Sequence, residues 1–120
     1  MKQLRPFTFA ILVLAGLAAG CGAETPTPPL VDCTKVTPQK YSALTIWPKC
    51  TACHSSALSG AARMMAPAAT NFDSYDAAKA KAGLAAGRVN LGQMPPAGAT
   101  QPTADEKAAL IAWATCGTPN

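Results

Sequence analysis

The sequence predicts an all-α fold for residues 37–120. No stretch of this part alternates apolar and polar residues as a half-buried strand does, whereas its alanine-rich segments carry helix-start and helix-stop signals. The full length of 120 residues allows one domain. From Thr37 to Asn120 only sixteen side chains are bulky and apolar. A small domain with so few large apolar side chains is expected to need a covalent cross-link, a metal or a cofactor for stability.

Residues 1–20 have the pattern of a signal peptide. Lys2 and Arg5 precede an apolar run, Phe7–Leu17, which is shorter than the about 20 apolar residues that span a bilayer. The run therefore predicts secretion rather than a membrane span. The segment Leu17–Cys21 resembles the bacterial lipobox, which implies that Cys21 becomes the mature N-terminus and carries lipid. Ordinary cleavage to a soluble periplasmic form is the alternative.

Residues 21–36 are expected to form a lipid anchor and a tether. The run Glu24–Pro29 is rich in proline and threonine, a composition that favours the extended polyproline II conformation. At about 3.1 Å per residue, Gly22–Val31 would reach roughly 30 Å from an anchor at Cys21.

Three helices are expected in the remaining domain, and their ranges are Gln39–Trp47, Tyr75–Ala86 and the segment from Thr103 to Gly117. The first has apolar residues at three-residue spacing. Asp73 or Ser74 can cap the second, with Gly87 as its stop. The third begins with a capping box formed by Thr103 and Glu106.

The strongest chemical signal is the run Cys50-Thr51-Ala52-Cys53-His54, which has the spacing of c-type haem attachment. Two thiols at this spacing can add to the two vinyl groups of one porphyrin, and the following imidazole can bind its iron. A structural zinc site requires four ligands in paired clusters, and a thioredoxin-like pair requires a strand–helix–strand context; the sequence offers neither. We therefore expect one covalent haem c held by Cys50, Cys53 and His54.

Two further cysteines, Cys33 and Cys116, flank the domain. Because export leads to an oxidising compartment, the two are expected to form a disulfide. Loop-closure entropy assigns a loop of this length about 4 to 5 kcal/mol of stabilisation.

The second axial ligand of the iron is expected to be a methionine. His54 is the only histidine, so a haem with two histidine ligands from this chain is excluded, and a methionine, a weaker group or an open position remains. Met94 precedes two prolines, which deny it a helical conformation and favour an extended loop. Met64 and Met65 are alternatives, although methionines also serve as core-filling side chains. Met94 is the preferred distal ligand.

The segment Tyr41–Cys116 resembles the small class I (monohaem) cytochromes c, most closely the single-haem bacterial lipoprotein type. The resemblance is carried by the order of Cys50–His54, a loop with Ala66-Pro67, a middle helix, the Gln93–Pro96 loop and a C-terminal helix. It implies a small cytochrome c-like helical fold wrapped around one covalently attached haem. It also implies that the Ala66 carbonyl accepts a hydrogen bond from the His54 imidazole.

These features predict a single-electron carrier rather than an enzyme, since two axial ligands leave the iron no open site. We expect a monomer on the periplasmic face of a bacterial membrane or the cell surface, serving a redox protein donor and acceptor. Without Lys2 and Arg5 the net charge falls from +4 to +2, too weak for a nucleic-acid partner. Two alternatives stay open. One is a five-coordinate haem protein that binds a gas or reacts with peroxide, and the other is a haem subunit of a larger oxidoreductase.

Overall fold

A computed structural model describes residues 25–120 of the protein, and within that range it is helical and has no strand. Four α-helices follow in order, and their bounds are α1 Trp47–Thr51, α2 Tyr75–Ala80, α3 Ala82–Asn90 and α4 Ala104–Thr115. Short 3-10 turns occupy Tyr41–Ala43 and Gly60–Arg63. The coarse all-α prediction is therefore confirmed for this part of the chain. The predicted signal peptide, residues 1–20, and the lipid site at Cys21 lie outside the described residues.

The core is built from two tryptophans and many alanines. Trp47 packs edge-on to Trp113, with ring centroids 5.4 Å apart, and stacks on Phe72 at 5.9 Å. Helix α3 packs against α4, and α3 contributes only alanines, a glycine and Val89 to the buried set. Small side chains let these two helices approach closely. Within residues 25–120, no helix is long and apolar enough to cross a membrane.

Helix α4 begins as its sequence predicts. The Thr103 side chain accepts a hydrogen bond from the Glu106 backbone N–H, and the Glu106 carboxylate accepts one from the Thr103 N–H, which completes the capping box. The same carboxylate forms an ion pair with Lys49 of α1, and this contact lowers the pKa of Glu106. The capping box thus also joins α4 to α1.

The predicted helix Gln39–Trp47 is wrong. Only the 3-10 turn Tyr41–Ala43 forms there, and Leu44 is extended, with φ −74° and ψ 117°. Helix α1 begins at Trp47 instead, with Pro48 in its first turn. Proline lacks an N–H donor and suits the start of a helix rather than its interior. A helix therefore begins at Trp47, the residue at which the apolar spacing predicts that a helix ends.

The predicted middle helix is divided in two and runs further than expected. Ser74 caps α2 by accepting a hydrogen bond from the Ala77 N–H. Lys81 then leaves the helical conformation, with φ −117° and ψ 9°, before α3 continues to Asn90. Gly87 does not stop the helix. A Cβ there would overlap the carbonyl group of Pro26, so the glycine serves close packing.

The tether prediction needs correction where the segment meets the domain. Residues 25–32 form no helix or strand, but Pro26 is buried and lies against Gly87 of α3. The sulfurs of Cys33 and Cys116 form a disulfide with a Cα–Cα distance of 5.5 Å. The segment between these two contacts is therefore attached to the domain at both ends and does not extend freely away from it, although Leu30 in its middle is fully exposed.

We expect Gly87→Ala and Gly83→Ala to have opposite effects on stability. Both glycines lie in α3, and neither has a positive φ, so alanine should add about 0.4–1 kcal/mol by restricting the unfolded chain. At Gly83 a Cβ meets nothing within 4 Å, and this gain should appear in full.

At Gly87 the new methyl group would displace Pro26. The expected result for Gly87→Ala is a urea midpoint below that of the wild type, whereas Gly83→Ala should raise the midpoint. Gly87→Ala should also show faster proteolysis of residues 25–32. Equal midpoints and equal cleavage in the two variants would show that Pro26 does not pack on α3.

Candidate functional site

A cavity of about 1140 Å³ opens between α1, α3 and two loops, one containing Met64–Thr70 and the other containing Met94–Thr100. Its volume exceeds the range of about 300–1,000 Å³ that small-molecule sites usually have, although the domain is small. The sulfur and imidazole groups that line it are Cys50, Cys53, His54, Met64, Met65 and Met94. The structure thus brings together all four residues that the sequence predicts as haem ligands and attachment points. The disulfide residues Cys33 and Cys116 do not line it.

Cys50, Cys53 and His54 occupy one side of a helical turn. Cys50 belongs to α1, and its carbonyl accepts hydrogen bonds from the N–H groups of Cys53 at 3.2 Å and His54 at 2.9 Å. Side chains three and four positions apart on such a turn are neighbours. The helical backbone therefore directs both thiols and the imidazole toward the same wall of the cavity.

Both thiols of this motif are free. Burial raises the pKa of Cys50 to about 11, the nearby Glu106 carboxylate acts in the same direction, and Lys49 opposes the shift. Cys50 is consequently a neutral thiol at physiological pH. Redox-active Cys-x-x-Cys pairs have a lowered thiol pKa instead, so the environment of Cys50 disfavours that chemistry.

The His54 ring packs edge-on to Phe72, with ring centroids 5.4 Å apart, and has a backbone carbonyl as its hydrogen-bond partner. Its Nδ1 lies 3.1 Å from the Thr70 oxygen. A carbonyl can only accept, so Nδ1 carries the proton, and in the neutral form of the ring Nε2 then has the lone pair that can bind a metal. The expectation that Ala66 provides this carbonyl is wrong, because the oxygen beside Nδ1 belongs to Thr70. The Ala66 oxygen instead accepts from Arg63 Nε at 3.1 Å.

The loop after His54 is closed by hydrogen bonds of two further residues, Phe72 and Asp73. The Phe72 N–H donates to the His54 carbonyl at 2.9 Å. The Asp73 carboxylate accepts from the Ser55 hydroxyl at 2.9 Å and from the Ser56 backbone and hydroxyl at 2.7 and 2.6 Å. These hydrogen bonds lower the pKa of Asp73 to about 2. Together these contacts join Phe72 and Asp73, at one end of the loop, to residues 54–56 at its other end.

Arg63 lies inside this loop, and sequence reasoning missed it. The residue is 6% exposed, and its guanidinium donates only to oxygens of the loop. Its acceptors are the carbonyls of Ser55, Leu58, Ala66, Pro67 and Thr70 and the side-chain oxygen of Asn71. One signal was available, since Arg63 is the only charged residue between His54 and Asp73.

Met94 reaches the cavity from a loop that leaves the end of α3. The Arg88 carbonyl accepts from the N–H groups of Gln93 at 2.9 Å and Met94 at 3.3 Å. Gly92, with φ 66°, provides the left-handed residue that turns the chain out of the helix. Met94 is 37% exposed, whereas the following Pro95 is buried. The loop is therefore anchored on both sides of the methionine.

Met64 and Met65 are not core-filling side chains. They are 69% and 99% exposed, and both have positive φ values, 48° and 69°. Such conformations are unusual for residues other than glycine and cost free energy. The Met64 Sδ lies 3.6 Å from the Cys53 Sγ. Two exposed methionines therefore stand at the rim of the cavity, one of them beside a motif cysteine.

No group of three or more His, Cys, Asp or Glu side chains between residues 25 and 120 is arranged to hold a metal ion. Comparisons with protein-family models, with curated proteins and with solved structures found no match for this chain.

We expect the Asp73 contacts to make stability depend on acid pH. The ordinary pKa of this carboxylate is 3.8 and the folded value is about 2. Its stabilising effect is therefore complete above pH 3.8 and is lost as the pH falls toward about 2. Asp73→Asn should lower the free energy of unfolding at neutral pH. As the pH falls through this window, the variant should then lose less of that free energy than the wild type does.

Urea unfolding of both proteins at several pH values measures the effect. Asp76→Asn is the matched control, since it removes the same charge from an exposed position on α2. An acid dependence that is identical in wild type and Asp73→Asn would contradict the assignment.

Proposed function

We propose that this protein is a monohaem c-type cytochrome that carries single electrons. The observation that carries the proposal is the shared cavity, because the thiols of Cys50 and Cys53, the His54 imidazole and the Met94 thioether all line it. When bound, haem supplies an iron that changes by one electron between ferrous and ferric states. The proposed fold is accordingly a helical domain wrapped around that haem.

The donor groups suit this cofactor. Cys50 and Cys53 are free and have the attachment spacing. His54 has its Nδ1 proton bonded to Thr70, which leaves Nε2 for the iron. The cavity is large enough for a porphyrin and mostly apolar, and its charged lining residues are Lys49 and Arg88. Lys49 is already paired with Glu106, whereas Arg88 forms no ion pair within residues 25–120. A cationic Arg88 favours a cofactor that carries carboxylates.

The axial residues define the class of activity. If His54 and Met94 both bound the iron, no position would remain open for a substrate, so we propose a carrier rather than an enzyme. A methionine ligand raises the reduction potential. The Arg88 carbonyl would hold Met94 toward the cavity through the backbone contacts of the Met94 loop.

The proposal includes the cellular setting that the N-terminus predicts. The chain would be exported, lipidated at Cys21 and held at a membrane or cell surface as a monomer. Its partners would be a donor and an acceptor redox protein. A mature charge near +2, offset by haem carboxylates, gives little electrostatic steering, so recognition would depend on a small patch around the cavity mouth, as in weak redox encounters.

The test is an optical and redox study of the exported protein together with three methionine variants. The wild type should retain haem after denaturation and show the weak charge-transfer band of methionine-ligated ferric haem. Met94→Ala should lose the band and keep the covalent haem, because only the distal ligand is removed. Met64→Ala and Met65→Ala are matched controls and should keep both.

Each contrary result has a definite meaning. Loss of the band in Met64→Ala or Met65→Ala, with retention in Met94→Ala, would move the ligand to that residue. A wild-type protein that lacks the band and binds carbon monoxide when reduced would support a five-coordinate haem that binds a gas or reacts with peroxide. A denatured chain without haem would reject the proposal. Permanent co-purification with an enzyme subunit would support the oxidoreductase-subunit alternative.

We also expect residues 37–120 to be largely unfolded without haem. The core relies on alanines and a few large side chains, and a cavity of about 1140 Å³ would lack the packing contacts that normally stabilise an interior. Circular dichroism of the protein with and without haem measures the effect, with the Cys33–Cys116 disulfide intact in both samples. A compact, helical apoprotein would contradict this expectation.

A further inference from the structure

Arg63 carries a buried positive charge that is hydrogen-bonded but not neutralised. Its five N–H groups face six acceptors, which are five backbone carbonyls and Asn71 Oδ1, so the two N–H groups of Nη2 are shared among three of these oxygens. Among residues 25–120, no carboxylate forms an ion pair with it. Carbonyl dipoles satisfy the N–H groups but leave the net charge in place, and buried charges are normally paired. A costly arrangement of this kind suggests that the position of the charge matters.

The charge lies directly behind His54. Arg63 Nη2 donates to the Thr70 oxygen at 3.0 Å, and His54 Nδ1 lies 3.1 Å from the same atom. One carbonyl therefore serves both the guanidinium and the imidazole. The guanidinium holds the acceptor in place and, through it, the ring orientation and tautomer of His54.

Sharing the acceptor also affects how strongly His54 donates electrons. An oxygen that already accepts from a cation attracts the Nδ1 proton less, so the imidazole gains less negative character and is a weaker donor to a metal. The partner of the other ring nitrogen is known to tune a ligating histidine in this way. A nearby positive charge also disfavours the ferric state by Coulomb repulsion. Both effects favour the reduced iron.

We propose that Arg63 is a positioning residue that orients His54 through the Thr70 carbonyl and raises the reduction potential of the bound haem. The inference rests on the proposed function. The reaction concerned is the transfer of one electron from a donor redox protein, ferric to ferrous, in which no bond forms or breaks.

Three variants of the haem-loaded protein test the proposal. Arg63→Gln removes the charge and most of the donor set. Asn71→Asp keeps Arg63 and places a carboxylate at an existing contact, Asn71 Oδ1 to Arg63 Nη2 at 3.0 Å, which neutralises the charge. The side chain keeps its shape but loses the hydrogen bond that Asn71 Nδ2 donates to the Ala68 carbonyl at 3.2 Å. Lys40→Gln removes a positive charge from an exposed site away from the cavity.

Reduction potential and amide hydrogen exchange are the two measurements. Arg63→Gln and Asn71→Asp should each shift the ferric-to-ferrous ratio at a fixed solution potential toward ferric by on the order of tenfold, which is about 59 mV for one electron. Arg63→Gln should also speed exchange at the Phe72 N–H, which bonds to the His54 carbonyl. Asn71→Asp should leave that exchange unchanged, and Lys40→Gln should change neither.

The inference is overturned if Arg63→Gln and Asn71→Asp have the potential of the wild type, or if Lys40→Gln lowers it equally. If Arg63→Gln does not fold, Asn71→Asp still decides the effect of the charge. Failure of the proposed function looks different, because the wild type itself would then carry no haem. In that case the exchange rate at Phe72 would still measure whether Arg63 positions the loop.

Discussion

The oxygen of Thr70 is the atom on which the candidate site depends. It accepts from the His54 ring and from Arg63, so it connects the imidazole to the buried guanidinium. Arg63 in turn binds carbonyls from Ser55 to Thr70 and thereby determines the course of the whole loop. Because a carbonyl cannot donate, this contact also selects the His54 tautomer. A change at Thr70 or Arg63 therefore acts on the His54 ring.

The distribution of large apolar side chains follows from the same architecture. Trp47 and Trp113 lie in a buried core to which α2 and α3 contribute mainly alanines, so these helices pack with few large side chains of their own. Met64, Met65 and Met94 are exposed and line the cavity. The small number of large side chains in the core and the large cavity thus both follow from the alanine-rich composition. A large apolar cofactor would account for both features.

Local signals in the sequence predicted local structure well, and they failed where distant segments meet. The Thr103–Glu106 capping box and the Ser74 cap form as expected because each depends on neighbouring residues. The predicted Gln39–Trp47 helix fails because Pro48 opens a helix rather than following one. Gly87 had the appearance of a helix stop, yet its role is set by Pro26, which is distant in sequence.

The sequence by itself determined the helical class and the grouping of Cys50, Cys53 and His54, because helix geometry places residues three and four positions apart on one side. Only the tertiary structure decided which carbonyl holds His54, that Arg63 is buried, and that Met64 and Met65 are exposed. Every residue has a carbonyl, so no residue type marks Thr70 as the acceptor. Burial of a charge likewise depends on how a loop folds around it, which spacing along the chain does not reveal.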